Sequence, residues 1–128
     1  MAKFLVQRHS TGRSHFDLRL ILNDYVRSWS LLKEPPAQKG ERRLAIEREQ
    51  IEISDLDRRY VEEEAFGTGR VRIWDGGEVE IKTVSEERIM LIFAGGKMKG
   101  RYELRRMSWY PGNRWMLEKS GPTDTNLT

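Results

Sequence analysis

From residue 15 to residue 22 the chain reads His-Phe-Asp-Leu-Arg-Leu-Ile-Leu, and the spacing of its apolar residues is two. Side chains at i and i+2 share one face of a β-strand. Phe16, Leu18, Leu20 and Leu22 therefore point to one side, while His15, Asp17 and Arg19 point to the other. A helix would scatter both sets around its axis. The stretch reads as a strand, with one face suited to a core and the opposite face carrying side chains suited to chemistry.

Short apolar runs bounded by turn residues recur along the rest of the chain, which predicts many strands in place of long helices. Lys3 to Arg8 reads as a first strand and Ser14 to Leu22 as a second. Asn23-Asp24 makes a turn, and Tyr25 to Leu32 returns as the other arm of a hairpin. Residues 34 to 40, Glu-Pro-Pro-Ala-Gln-Lys-Gly, form a loop. Arg42 to Glu49 is a further strand, rivalled by a solvated helix because residues 42 to 59 are dense in Glu and Arg. Beyond Gly67-Thr68-Gly69, strands are expected at Arg70 to Trp74, Glu78 to Thr83, Arg88 to Phe93, Gly100 to Met107 and Arg114 to Lys119. Asp75-Gly76-Gly77 and Ala94-Gly95-Gly96 supply turns. About eight short strands at this spacing imply a closed barrel or a sandwich.

A length of 128 residues fits one domain with a real core; we take residues 1–119 as that domain and 120–128, small and polar, as a flexible tail. Lys+Arg number 23 against 20 Asp+Glu, a formal net charge of +3, which permits a polyanionic partner without requiring one. There is no cysteine, so disulfide frameworks and zinc fingers are excluded and a reducing cytoplasm is the simplest setting. The longest apolar run, Ile89 to Ala94, is far short of the roughly 20 residues a membrane helix needs.

The chain's two histidines, His9 and His15, fall close together. His15 and Asp17 share a strand face at roughly 6.5 to 7 Å between Cα atoms, which lets both reach one ion at about 2.0 to 2.2 Å. His9 can join from the preceding strand across the residue 10–13 turn. Two imidazoles and one carboxylate make three ligands of a divalent transition metal with positions left open. Arg19, on the same face, suits a phosphate, and Lys33 and Arg43 can extend the anion-binding patch. Singly, each of these has an ordinary surface or ion-pair role; their grouping on one face favours a metal-assisted phosphate site. The same triad type also serves non-haem iron oxygenases, which have no use for Arg19. Trp74 and Trp115 lie in apolar strand patterns, so most of Trp29, Trp74, Trp109 and Trp115 are expected in the core rather than as stacking platforms. Gly67-Thr68-Gly69 is a turn and not a phosphate loop, and Glu62-Glu63-Glu64 is a solvated loop.

These residues also carry a resemblance. Val6-Gln7-Arg8-His9, followed by His15-Phe16-Asp17-Leu18-Arg19-Leu20, resembles the V-Q-K-H…H-Y-D-F-R-L signature of the 3′-phosphoesterase domain of bacterial DNA ligase D. Lys33-Glu34-Pro35, Arg43-Leu44-Ala45-Ile46, Phe66-Gly67-Thr68-Gly69 with Ile73-Trp74-Asp75, residues 99–104 and residues 115–119 are similar to further segments of that family. The resemblance implies a small closed β-barrel with its active site in a groove on the outer surface. It implies a divalent metal, typically manganese with cobalt or zinc as alternatives, held by His9, His15 and Asp17. Arg19 would clamp the phosphate, and Lys33, Arg43 and Glu49 fall on other positions tied to activity. The implied reaction removes a 3′-phosphate, or a 3′-ribonucleoside, from DNA primer ends in repair. A separate ligase and polymerase would act beside a monomeric, cytoplasmic enzyme with no membrane partner.

Two departures qualify this. The family's E-D-H-P-x-x-Y reads Glu49-Gln50-Ile51-Glu52-Ile53-Ser54-Asp55 here, so a phosphate-contacting histidine is Ile51 and a tyrosine is Asp55. The first strand also begins almost at once, without the N-terminal arm tied to ribonucleoside removal. The 3′-phosphate step is therefore the firmer expectation, and the rival reading is a barrel that binds DNA ends without turnover.

Overall fold

The computed structural model describes residues 2–10, 14–55, 71–107 and 113–121. Among these residues nine strands run in chain order: β1 (Ala2–His9), β2 (His15–Leu22), β3 (Tyr25–Leu31), β4 (Arg42–Glu47), β5 (Ile51–Glu52), β6 (Val71–Val84), β7 (Arg88–Gly95), β8 (Lys99–Arg106) and β9 (Arg114–Lys119). Eight of them close into an antiparallel ring, β1-β6-β7-β8-β9-β4-β3-β2, because β2 pairs with both β1 and β3; β5 adds a short rung at one end of β3. This is the closed barrel. Closure removes the free edges that would otherwise seek another strand.

The period-two reading of β2 holds. Phe16, Leu18 and Leu20 enter the barrel with Phe4 and Val6 of β1 and Trp29 and Leu31 of β3. Leu91 and Phe93 of β7, Tyr102 and Leu104 of β8, and Trp115 and Leu117 of β9 fill it from the far side. The Trp29 and Trp115 rings meet edge to face at 5.9 Å, and Trp74 packs edge-on to Phe16 at the margin. Trp109, Gly67-Thr68-Gly69 and Glu62-Glu63-Glu64 lie outside the described residues. The helical alternative for residues 42 to 59 fails within what is described: Arg42–Glu47 pairs with β9 along five positions, and only residues 53–55 make a single 3-10 turn.

Asp75-Gly76-Gly77 is not a turn between two strands. β6 runs unbroken through it for 14 residues, pairing with β1 through its first half and with β7 through its second. A strand shared between neighbours in this way must bend sharply. The bend falls at a bulge opposite Val6/Gln7 and at Gly77, whose φ of +153° and 2.5 Å Cβ approach to the Ala94 carbonyl oxygen only glycine allows. Glycines at such a barrel corner imitate a hairpin in sequence. The other turn shifts as well, since β7 continues to Gly95 and reverses over residues 96–98, closed by the Gly95 N–H to Met98 C=O bond.

Asp75 holds that reversal. Its buried carboxylate accepts the N–H groups of Gly96, Lys97 and Met98 at 2.8, 3.0 and 2.7 Å. Tyr102 donates to the Pro36 carbonyl and Lys119 to that of Ala37, while Glu41 accepts the Ala37 and Gln38 N–H groups. The loop after β3 is thereby tied to the barrel. Ser120 and Gly121 also bond back to the Arg101 carbonyl. No described helix is long and apolar enough to cross a membrane.

Replacing Asp75 with Ala leaves three donors without their acceptor, one of them fully inside. We expect a loss of about 2–4 kcal/mol in urea unfolding, with Asp75→Asn retaining part of it. An Asp75→Ala protein as stable as the parent would remove Asp75 from this role.

Candidate metal and phosphate site

The outer wall formed by β1, β2 and β3 carries the polar half of the period-two pattern. The register sets residues opposite one another across three strands: His9 faces His15, and Gln7 faces Asp17, which in turn faces Ser30. Arg19 faces Ser28 on β3. Cross-strand partners on one face lie about 4.5 to 5.5 Å apart, so this register makes a compact patch.

Within it, His9 Nε2 lies 2.8 Å and His15 Nε2 3.5 Å from Asp17 Oδ2. The two imidazoles stack, with centroids 4.5 Å apart and planes 11° from parallel. Ser30 Oγ donates to the other carboxylate oxygen, Oδ1, at 2.6 Å. One oxygen is thus committed to the scaffold and the other turned to the histidines. The three donor atoms all lie within 4.8 Å of one another. Two ligands at about 2.1 Å from one ion, at right to tetrahedral angles, stand roughly 3.0 to 3.4 Å apart. The two histidine–aspartate separations, 2.8 and 3.5 Å, bracket that range. The donor set, nitrogen, nitrogen and carboxylate oxygen, fits a divalent transition ion, and Ser30 supplies the hydrogen bond that orients a ligating carboxylate.

Burial of Asp17 pushes its carboxyl up, but the hydrogen bonds from His9 and Ser30, with the charges of His9 and His15, more than reverse this and bring it from 3.8 to about 2. The carboxylate is therefore ionised throughout the range in which the protein would work. Beside it, Arg19 is buried at 4% exposure, its Nε donating to Gln7 Oε1 at 2.6 Å and its Nη1 to Ser28 Oγ at 3.0 Å. Nη2 stands 3.9 Å from Asp17 Oδ2. The two hydrogen bonds hold the guanidinium with Nη2 toward the histidine–aspartate group.

His9, His15, Asp17 and Arg19 are brought together as the sequence predicts. Lys33 and Arg43 stand farther round the wall, lining a groove of about 590 Å³ that begins at His15 and Ser30. Lys33 is exposed. The Arg43 guanidinium is engaged, with Nε donating to the Glu34 carbonyl at 2.7 Å and Nη2 to Glu41 Oε2 at 3.3 Å. Glu49 is exposed in the link after β4 and does not line the groove. Sequence reasoning missed Gln7, Ser28 and Ser30. The signal was there in strand parity: Gln7 shares a face with His9, and the two serines lie opposite Trp29 and Leu31.

The protein is thus a small closed antiparallel barrel, bearing on its outer wall a His-His-Asp group able to hold a metal and a buried arginine beside it. Residues 7–106 match the family described as the DNA ligase D 3′-phosphoesterase domain, and the chain belongs to that family. It is 29% identical over 122 residues to the multifunctional non-homologous end joining DNA repair protein LigD of Mycobacterium tuberculosis, covering 91% of this chain. It is 31% identical over 132 residues to the LigD protein of Pseudomonas aeruginosa, covering 94%, and 30% identical to that of Mycolicibacterium smegmatis. The chain spans only 15–16% of the length of these relatives.

The lowered pKa of Asp17 has a consequence for stability. A carboxyl whose folded pKa lies below its unfolded value stabilises the fold above about 3.8 and loses that contribution as pH falls toward 2. In chelator, urea unfolding should show about 2 kcal/mol of stability lost over that interval. Asp17→Asn should lack this component; an acid profile unchanged by the substitution would contradict it.

Proposed function

We propose that the chain is a divalent-metal-dependent phosphoesterase that removes 3′-phosphate from DNA ends, and 3′-ribonucleoside where one is present. The observation that carries this reading is the convergence of His9 Nε2, His15 Nε2 and Asp17 Oδ2 beside the buried Arg19 guanidinium. His9, His15 and Asp17 would hold the metal, manganese foremost, with cobalt or zinc as alternatives. A bound divalent ion supplies Lewis acidity and a water made more acidic. Ser30 keeps Asp17 turned toward the histidines. Gln7 and Ser28 keep Arg19 in one plane, so that the guanidinium meets the phosphate without paying for reorganisation. Lys33 adds positive charge at the groove. Arg43, through the Glu34 carbonyl and Glu41, fixes the segment that bears Lys33 and acts as a positioning residue. For Glu49 the support is the resemblance alone.

The product of this reaction is a 3′-hydroxyl, which a polymerase or ligase consumes. A second reading, DNA-end binding without turnover, is favoured by Ile51. In the register Ile51 faces Val26, which faces Ile21, so an aliphatic row borders Arg19 where the resemblance expects a phosphate-contacting histidine.

Purified protein with manganese should release phosphate from a duplex ending in a 3′-phosphate, and chelator should stop it. His9→Ala, Asp17→Ala and Arg19→Ala should each lower the rate by roughly 10²-fold or more. Tight binding of the end with no release under manganese, cobalt or zinc would replace this reading with the second.

A further inference from the structure

The groove that starts at His15 runs away from the metal group across β3, β4 and β9. The register gives its path. Asp17 faces Ser30, Ser30 faces Ile46, and Ile46 faces Arg114. At about 4.8 Å per strand, Arg114 lies roughly 14 Å along the wall from Asp17. Leu32, Leu44 and Ile46 line this stretch. Leu32 is 56% and Leu44 44% exposed, an unusual allowance for aliphatic side chains side by side on an outer wall.

The walls are cationic. Lys33, Arg42, Arg43, Arg48 and Arg114 line the groove, and among the described residues no carboxylate does. Within the protein Arg42 pairs with Glu118 at 3.3 Å and Arg43 with Glu41. Neither Lys33 nor Arg48 has an ion-pair partner among the described residues, and the Arg48 backbone is fixed by its N–H bond to the Ser28 carbonyl at 2.8 Å. The net charge of the chain is only +3, so this sign segregation is local and not a property of the composition.

An aliphatic floor between cationic walls, opening at one end onto a metal and phosphate site, is complementary to a nucleic acid strand: sugars and bases lie on the floor and phosphates face the walls. We propose that the groove is the track of the DNA strand that carries the 3′ end, with Arg48 and Arg114 contacting phosphates upstream of the reacting one. The strand enters over β9 and β4, crosses Ile46 and Leu44, and delivers its terminus to His15 and Asp17. Arg48 and Arg114 set affinity and substrate length; they take no part in the bond-breaking step. This rests on the reading given above for the site itself, and the two can fail separately.

The test compares Arg48→Gln, Arg114→Gln and their combination with Lys82→Gln, which removes an exposed cation from β6, four strands round the ring from β4. A fluorescent DNA strand of about ten nucleotides with a 3′-phosphate, comfortably within the usual range of single-strand sites, is titrated in chelator by anisotropy. Each track variant should weaken binding about five- to tenfold and lower the salt slope by about 1, with Lys82→Gln unchanged. With manganese, the KM for that strand should rise in the track variants at constant kcat, and for a 3′-phosphorylated dinucleotide too short to reach Arg114 both constants should stay unchanged in Arg114→Gln. Equal binding by parent and track variants overturns the proposal, as does equal weakening by Lys82→Gln, or a matching loss on the dinucleotide in Arg114→Gln. If the parent turns over neither substrate but the binding differences hold, the track stands and the enzymatic reading falls.

Discussion

Closure of the barrel through β2 is the constraint on which the rest depends. β2 is registered against β1 along seven positions and against β3 along seven, and every polar residue of the site owes its neighbours to those two ladders. A slip of one residue in either would send Phe16, Leu18 and Leu20 outward and drive Asp17 and Arg19 into a core of aromatics. The core therefore enforces the site. Burying three large apolar side chains from one strand, at about 1.5–3 kcal/mol each, far outweighs what the surface polar contacts could do to hold register by themselves.

The same closure explains how charged groups come to be buried on an outer wall. His9, Asp17 and Arg19 are 4–7% exposed although they point away from the core. They cover one another: Arg19 between Gln7 and Ser28, Asp17 between His9 and Ser30. Unpaired burial of such groups would be prohibitive, and here the cationic, hydroxyl and carboxylate groups satisfy each other. What results is a stiff arrangement that has already met its ordering cost in folding. That stiffness is what electrostatic stabilisation of a phosphate requires, because dipoles that must turn during the reaction give back much of what they contribute.

The legible part of this was the part written at short range. The alternation in residues 15–22 placed the core face and the chemical face of β2 correctly, and the two histidines and the aspartate were close enough in sequence to be read as one group. Asp75-Gly76-Gly77 misled because a barrel corner and a hairpin ask for the same residues: both need a backbone that glycine permits, and only the partners of β6 on either side tell them apart. Glu and Arg in residues 42–59 suggested helical pairs at i and i+4, but β4 had the β9 ladder available, and tertiary pairing overrides so weak a preference. Gln7, Ser28 and Ser30 are ordinary surface residues until their strands are registered. Arg48 and Arg114, 66 positions apart, meet one groove only through the β4–β9 pairing.

Ile51 shows how a single side chain redistributes work within such a wall. Its register places it beside Val26, and the row Ile21, Val26 and Ile51 borders Arg19 and Ser28 on the side away from the histidines. An aliphatic border cannot donate to a phosphate oxygen, yet it keeps water from that edge of the guanidinium. In a drier setting the attraction between a fixed guanidinium and a phosphate is stronger per contact. Under the proposed function the chain would have fewer donors around the phosphate than the family pattern provides, and recognition would concentrate on Arg19. Recognition concentrated in that way makes the hydrogen bonds from Arg19 to Gln7 and Ser28 consequential: with no second donor at position 51 to compensate, a tilt of the Arg19 plane goes uncorrected.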